Sequence, residues 1–260
     1  MQTQFDYSGA SVVVTGASRG IGFAVAEGYA MAGADVLIVS SGSDISSVAE
    51  DLTRRAKRLV RGAVADISDG KQLAHVFDGI GRIDVLVNNA GLELMTPVDD
   101  LSDQVESDFR RIVDINITGT FLTTRLAVPY MTGKGASIIN TSSIWGRTSE
   151  AGFSAYAASK HATMGLTRTL AKELAPRGIR VNAVCPGWVR TVASMRSLAR
   201  MSDLTGRTEE DLLAEITANQ ILPGLMEPAD MASAYLFLSS SAAGNITGQG
   251  LMVDRGEVMA

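Results

Sequence analysis

Short apolar runs alternate along this chain with longer stretches whose apolar residues recur every three or four positions. Val12-Val13-Val14, within residues 11–15, is a β-branched run that predicts a strand, and the Ala-rich stretch at 23–32 predicts a helix. Residues 35–40 hold a second strand, Val36-Leu37-Ile38-Val39, and 44–59 a helix with basic residues on one side. Strands follow at 60–65 and 83–87, with a helix at 72–77 between them. The stretch 101–126 reads as one or two helices, interrupted near Asn116-Ile117-Thr118-Gly119, because Asn is a poor helix-interior residue. A fifth strand is expected at 135–141, a long helix at 154–175 and a sixth strand at 179–184. Residues 192–222 are charged and helical with no strand; 227–239 is the last helix and 250–254 the seventh strand. Strands separated by helices predict an α/β fold, a doubly wound parallel seven-stranded sheet with helices on both faces. No linker or repeat is visible, so residues 1–260 are expected to form one domain, with a helical substrate lid at about 192–222.

Composition narrows the chemistry. Glycine is abundant at 26 residues while proline is scarce at 6, which suits tight strand-to-helix turns better than disorder. A net charge of −5 gives no broad basic surface for nucleic acid. One cysteine, Cys185, excludes an internal disulfide and reads as a small buried hydrophobe. Two histidines, His75 and His161, offer no metal cluster, so no metal is expected. The absence of a basic-then-apolar leader and of any apolar run near 18 residues predicts a soluble, cytoplasmic chain with no membrane partner.

The candidate chemistry sits at strand ends. The run Gly16-Ala17-Ser18-Arg19-Gly20-Ile21-Gly22 lies between a strand and a helix, the context of a phosphate-cradling turn. Gly16 permits the tight turn, Gly20 lets a pyrophosphate approach, and Gly22 lets helix and strand pack. The second strand ends in Ser40-Ser41-Gly42, without the acid that would hold a ribose diol, and Arg19 is available to a 2′-phosphate. That combination favours NADP, with NAD as the alternative. Asp66, leaving the third strand beside Ile67, would accept from an adenine amino group or cap the next helix. Asn88-Asn89-Ala90-Gly91 ends the fourth strand, followed by Glu93. Tyr156 and Lys160, four apart, share one helix face, where a neighbouring cation favours the phenolate. Ser143 adds a hydroxyl upstream.

Together Thr15-Gly-Ala-Ser-Arg-Gly-Ile-Gly22, Asn88-Asn-Ala-Gly91, Asn116, Ser143, Tyr156-x-x-x-Lys160 and Pro186-Gly187 with Thr191 resemble the short-chain dehydrogenase/reductase family over nearly the whole chain. The resemblance implies a Rossmann-type oxidoreductase. Tyr156 would be its general acid/base, and Lys160 would lower the Tyr156 pKa and bind the nicotinamide ribose. Ser143 would hold the substrate oxygen, and Asn116 would position a relay water. The cofactor set would be Gly16, Ser18, Arg19, Gly20, Ile21, Gly22, Ser40, Ser41, Asp66, Ile67, Asn89, Ala90, Gly91, Tyr156, Lys160, Pro186, Gly187, Val189 and Thr191. It also implies a homotetramer, with Ser154, Ala155, Ala157, Ala158 and Ala162 letting helices approach.

Substrate features point several ways. Glu93 resembles a glutamate of the family's glucose dehydrogenases, and would accept hydrogen bonds from a sugar or polyol. Trp188 resembles 3-hydroxybutyrate dehydrogenases, although their histidine is replaced here by Ile144-Trp145-Gly146. The end of the second strand resembles NADPH-dependent 3-oxoacyl carrier-protein reductases. The leading expectation is hydride transfer to or from a small polar hydroxy or keto compound: a sugar, polyol or hydroxy acid. Trp145 and Trp188 would wall its pocket, and Arg147, Arg190 and Arg196 would meet a carboxylate or phosphate. A second reading is a carrier-protein ketoreductase, docking its acidic carrier on Arg125, Arg168, Lys172 and Arg177. A third is a nucleotide-binding scaffold, which would not require Ser143, Tyr156 and Lys160 together.

Overall fold

The computed structural model describes residues 5–259. Among them seven strands form one parallel sheet: β1 Ser11–Thr15, β2 Asp35–Ser40, β3 Val60–Val64, β4 Val85–Asn88, β5 Ser137–Thr141, β6 Arg180–Pro186 and β7 Gly250–Val253. Their spatial order is β3-β2-β1-β4-β5-β6-β7. The winding therefore reverses between β1 and β4, and ligands of such sheets bind at the carboxyl ends beside that reversal. The doubly wound Rossmann-type architecture expected from the hydrophobic pattern is the one found.

Strand periodicity explains the two-sided core. Successive side chains face opposite ways, so Val12 and Val14 join one apolar cluster with Val36, Ile38, Tyr29 and Tyr235. Val13, Leu37 and Val39 join another with Leu86, Ile138, Leu73 and Leu170. The first cluster is covered by α1 Gly20–Met31, α2 Ile45–Ala56 and α9 Pro228–Ser239. The second is covered by α3 Gly70–Phe77, α5 Thr120–Ala127 and α6 Ser154–Leu174. Helix α4 Asp103–Val113 precedes α5.

Several boundaries differ from the sequence reading for local reasons. Helix α3 begins at Gly70 because Asp69, not Asp66, caps it, accepting from Lys71 N at 2.8 Å and Gln72 N at 3.2 Å. The break expected near Asn116 is a π-helical turn, Asp114–Gly119, joining α4 to α5. Gly119 lets that turn press on Ile67, whose side chain would lie 2.7 Å from any added Cβ. Strand β6 runs on to Pro186, which needs no ladder N–H at the strand's end.

Residues 192–222 hold α7 Val192–Thr205 and α8 Glu209–Ala218 and no strand. The excursion begins at a capping box in which Thr191 and Ser194 satisfy each other's backbone N–H groups. On its return, Ile221 N and Leu222 N both donate to Arg255 O at 3.0 Å, and Arg190 N donates to Met226 O at 2.8 Å.

The end of α9 is held by a charge. Arg180 donates to the carbonyls of Leu238 at 2.6 Å, Ser239 at 3.1 Å and Ser240 at 3.0 Å, filling acceptors a helix terminus leaves open. Replacing Arg180 with Met is expected to lower unfolding free energy by about 2–3 kcal/mol in a urea titration with little change in slope.

Candidate active site

A cleft of about 420 Å³ opens along the carboxyl ends of the strands. Its nucleotide end is built from the glycine turn between β1 and α1. Gly16 has φ +66°, and a Cβ there would sit 2.5 Å from Ala90 Cα. A Cβ on Gly22 would sit 2.3 Å from Gly16 O and 2.4 Å from Asn89 Nδ2. The turn therefore closes directly on the β4 end. Thr15 Oγ1 receives Asn89 N and Ala90 N, each at 3.1 Å, and Asn89 Nδ2 donates to Gly16 O at 3.1 Å. Arg19 occupies the N-cap of α1 without a side-chain cap bond, and Gly20 and Ile21 line the cleft. Helix-start N–H groups of this kind suit phosphate.

The structure brings nearly every expected cofactor residue to this cleft: Ser18, Ser40, Ser41, Ile67, Gly91, Pro186, Gly187, Val189 and Thr191 all line it. Arg19 is exposed at its rim. Asp66 also lines it but is already engaged, by Arg111 and by Ser68 N at 2.9 Å.

The other end holds the polar cluster. Lys160 is 5% exposed, and its Nζ donates to Thr141 O at 2.8 Å. The ammonium lies 5.3 Å from the centre of the Tyr156 ring. Asn116, placed by the π-turn, donates through Nδ2 to Leu92 O and to Ser159 Oγ, both at 2.9 Å, and accepts from Leu92 N at 2.8 Å. A Cβ on Gly91 would lie 3.4 Å from Asn116 Oδ1 and 3.6 Å from Lys160 Nζ, so both polar ends converge there. Ser143 is buried, and Trp145 N donates to its Oγ at 3.2 Å.

Electrostatics in this cluster are dominated by desolvation. Burial pushes the Lys160 ammonium down to about 8. Burial first, and the Glu93 carboxylate second, push the Tyr156 phenol up, while the Ser143 hydroxyl pulls it down. The net direction is upward even with the Lys160 ammonium 5.3 Å from the ring centre, so burial outweighs whatever that cation contributes. Glu93 is itself raised by burial, against the pull of Ser197, Arg196 and Lys160.

Of the expected substrate residues, Glu93, Trp145 and Trp188 line the cleft and Arg147 does not. Trp145 sits 4.9 Å from Phe153 and edge-on to Tyr156 at 5.8 Å, ring centre to ring centre. The short 3-10 turn Ile144–Gly146 leaves Arg147 exposed and facing Gly250 O, at 3.4 Å. Arg190 is paired with Glu227 at 2.9 Å, while Arg196 lines the cleft and donates to Glu93 O at 2.5 Å. Sequence reasoning missed Thr141, Ser159, Arg111 and Ser197. Ser159 carried a signal, standing three residues beyond Tyr156, whose carbonyl its Oγ reaches at 2.7 Å. Cys185 is buried against Met164, as expected of a small hydrophobe.

A family model described as "Enoyl-(Acyl carrier protein) reductase" matches residues 16–257. Oxidoreductase UcpA of Escherichia coli strain K12 is 35% identical over 258 residues, 97% of this chain and 95% of that protein. This chain is a short-chain dehydrogenase/reductase. Among solved members of the family, L-sorbose reductase from Gluconobacter frateurii, complexed with NADPH and L-sorbose, has a TM-score of 0.89 at 26% identity. That similarity covers 99% of this chain and 100% of that one. A 3-oxoacyl-[acyl-carrier protein] reductase from Brucella melitensis with bound NAD has a TM-score of 0.85 at 32% identity, covering 98% and 93%. As a family member the protein is an NAD(P)-dependent oxidoreductase, and the close-packed glycine turn fits the dinucleotide phosphates. Among the described residues no helix is long and apolar enough to cross a membrane. Nor do three or more His, Cys, Asp or Glu residues gather there as a metal site.

A buried ammonium is a stability cost that function retains. Lys160→Met is therefore expected to be inactive yet more stable than wild type at pH 7. Between about 8 and the ordinary lysine value of 10.5 the unfolded chain binds the extra proton, so wild-type stability rises with pH across that window. The gap to the variant should close by roughly 1 kcal/mol per pH unit there, read from urea unfolding at a series of pH values.

Proposed function

We propose that the protein interconverts a secondary hydroxyl and a carbonyl on a small neutral polyhydroxy compound, a sugar or polyol, with NADP as its preferred cofactor. The observation that carries this reading is the convergence of Tyr156, Ser143 and Lys160 at one end of the dinucleotide cleft, with the Glu93 carboxylate beside them.

The nicotinamide supplies or accepts the hydride. The residues handle the proton. In reduction Tyr156 Oη gives its proton to the carbonyl oxygen as the carbon is reduced, and Ser143 Oγ donates a hydrogen bond to that oxygen. Burial keeps the phenol protonated but makes it a weaker acid, so the nearby Lys160 ammonium must stabilise the tyrosinate left behind. Asn116, bonded to both Leu92 and Ser159, holds the route to Lys160 open. In oxidation the same groups act in reverse.

Glu93 sets the substrate class. An ionised carboxylate only accepts hydrogen bonds and repels a second anion in a dry cleft. A neighbouring hydroxyl on the substrate suits it, whereas the carboxylate of a hydroxy acid does not. The Arg196 guanidinium, which donates to the Glu93 backbone carbonyl, favours the ionised form of the same residue's carboxylate. The NADP preference rests on Arg19 at the cleft rim and on Ser40 and Ser41, where a diol-binding acid is missing. Helices α7 and α8 act as the lid, with Val192, Ala193 and Ser194 already on the cleft wall. The whole chain works as one unit, and a homotetramer is the assembly we favour. Within α6, Ala158 and Ser154 are exposed and suit close helix contact, while Ala155 and Ala157 are buried in their own chain.

The carrier-protein alternative is weaker. Arg177 donates to Val128 O at 2.8 Å, so part of the basic surface it needs holds the protein's own backbone.

Tyr156→Phe is expected to reduce kcat by about 10²- to 10⁴-fold while leaving NADPH titration curves nearly unchanged. Surviving turnover would overturn the proton-transfer assignment. With both cofactors and a panel of sugars, polyols, hydroxy acids and acyl thioesters, wild type should favour neutral polyhydroxy compounds. Glu93→Gln should lower kcat/KM for those by about tenfold and narrow the gap to hydroxy acids. A wild-type preference for free hydroxy acids, or for thioesters, would sink the neutral-substrate reading.

A further inference from the structure

One charged pair in the cleft serves neither the hydride chemistry nor the substrate wall. Asp66 leaves β3, and Arg111 reaches it from the last turn of α4. The guanidinium forks: Nη2 donates to Asp66 Oδ2, and Nη1 donates to Ser68 Oγ at 2.8 Å. Ser68 in turn donates to Asp66 Oδ1, from its N at 2.9 Å and from its Oγ at 2.7 Å. The Asp66 N–H donates to Gln72 Oε1 at 2.9 Å. Asp66 is thus fixed through its backbone and both carboxylate oxygens. It shares the cleft wall with Arg111, Ile67 and Ile115.

Stability does not account for this arrangement. The two side chains are 44% and 28% exposed, and ion pairs that open to water contribute little to folding. Acceptor capacity is more informative. An ionised carboxylate offers about four lone-pair positions. Ser68 takes two on Oδ1 and Arg111 takes one on Oδ2, which leaves one on Oδ2 for an N–H donor from the cleft.

We propose that Arg111 is a cofactor-positioning residue, holding Asp66 so that its remaining lone pair selects an amino-bearing purine over an oxo-bearing one. An exocyclic amino group satisfies that acceptor. A carbonyl oxygen in the same place sets acceptor against acceptor. Without Arg111 only Ser68 holds the carboxylate, through Oδ1, so Oδ2 is free to turn toward water and the distinction is reduced. The inference rests on assigning this end of the cleft to the adenine of the dinucleotide.

Fluorescence titration with NADPH and with its deamino (hypoxanthine) counterpart tests it on wild type, Arg111→Met and Arg111→Lys. Wild type is expected to bind the adenine form about tenfold tighter, the equivalent of one hydrogen bond. Arg111→Met should cut that ratio to about twofold or less, chiefly by weakening the adenine form. Arg111→Lys should restore only part of it, since an ammonium lacks the planar fork. Reduced nicotinamide mononucleotide, which has no adenosine, should bind all three alike. Ser68→Ala, which removes one prong, should relax the ratio in the same direction and serves if Arg111→Met does not fold. An unchanged ratio in Arg111→Met, or equal weakening of both dinucleotides and the mononucleotide, overturns the proposal. Failure of 5′-AMP to compete with NADPH on wild type instead overturns the adenine assignment beneath it.

Discussion

The structure depends most on keeping an ammonium group out of water. Lys160 is almost wholly buried, and its Nζ has Thr141 O as its hydrogen-bond acceptor. An isolated buried cation is costly, so the surroundings must supply acceptors and opposite charge. This requires the end of β5 at Thr141, and it places the Glu93 carboxylate where its charge favours the protonated form. It also requires a residue without a side chain at Gly91, in the loop after β4, where the Asn116 side chain and the lysine converge. The π-turn is the backbone's answer: one wider turn brings Asn116 to Leu92 and Ser159 without ending the helix.

Dryness governs the rest of the chamber in the same way. The raised phenol of Tyr156 and the raised carboxyl of Glu93 share burial as their first cause, and the Glu93 charge adds to the rise at Tyr156. Trp145, wedged between Phe153 and Tyr156, excludes water from that corner. At the nucleotide end the balance is different. There the walls are backbone N–H groups, glycines and short hydroxyls, and the single ion pair of Asp66 with Arg111 stands open to solvent.

What the sequence made legible followed from short-range rules. Val12-Val13-Val14 alternates between two cores as a strand must, and Tyr156 and Lys160 fall on one face because they lie four apart in a helix. The glycine turn was readable because Gly16 and Gly22 leave room that a Cβ would fill. The failures all involve partners far along the chain. Arg111 meets Asp66 across a separation of 45 residues, so Asp66 looked free to cap a helix that Asp69 caps instead. Arg147 looked available to a substrate because nothing local reveals that a three-residue turn sends it toward β7. The phenol's raised pKa likewise depends on how deeply the folded chain buries it, which spacing does not encode.

The pinning of the α7–α8 excursion by Arg255 has a consequence for assembly. The glycine turn, β4 and β5 are complete within the first 141 residues, and the tyrosine and lysine follow on α6. The return of α8 is fastened to Arg190 through Met226 and, once β7 has paired with β6, to the Arg255 carbonyl through Ile221 and Leu222. The α7–α8 excursion therefore acquires its last backbone contacts from Arg255, the last of these groups along the chain.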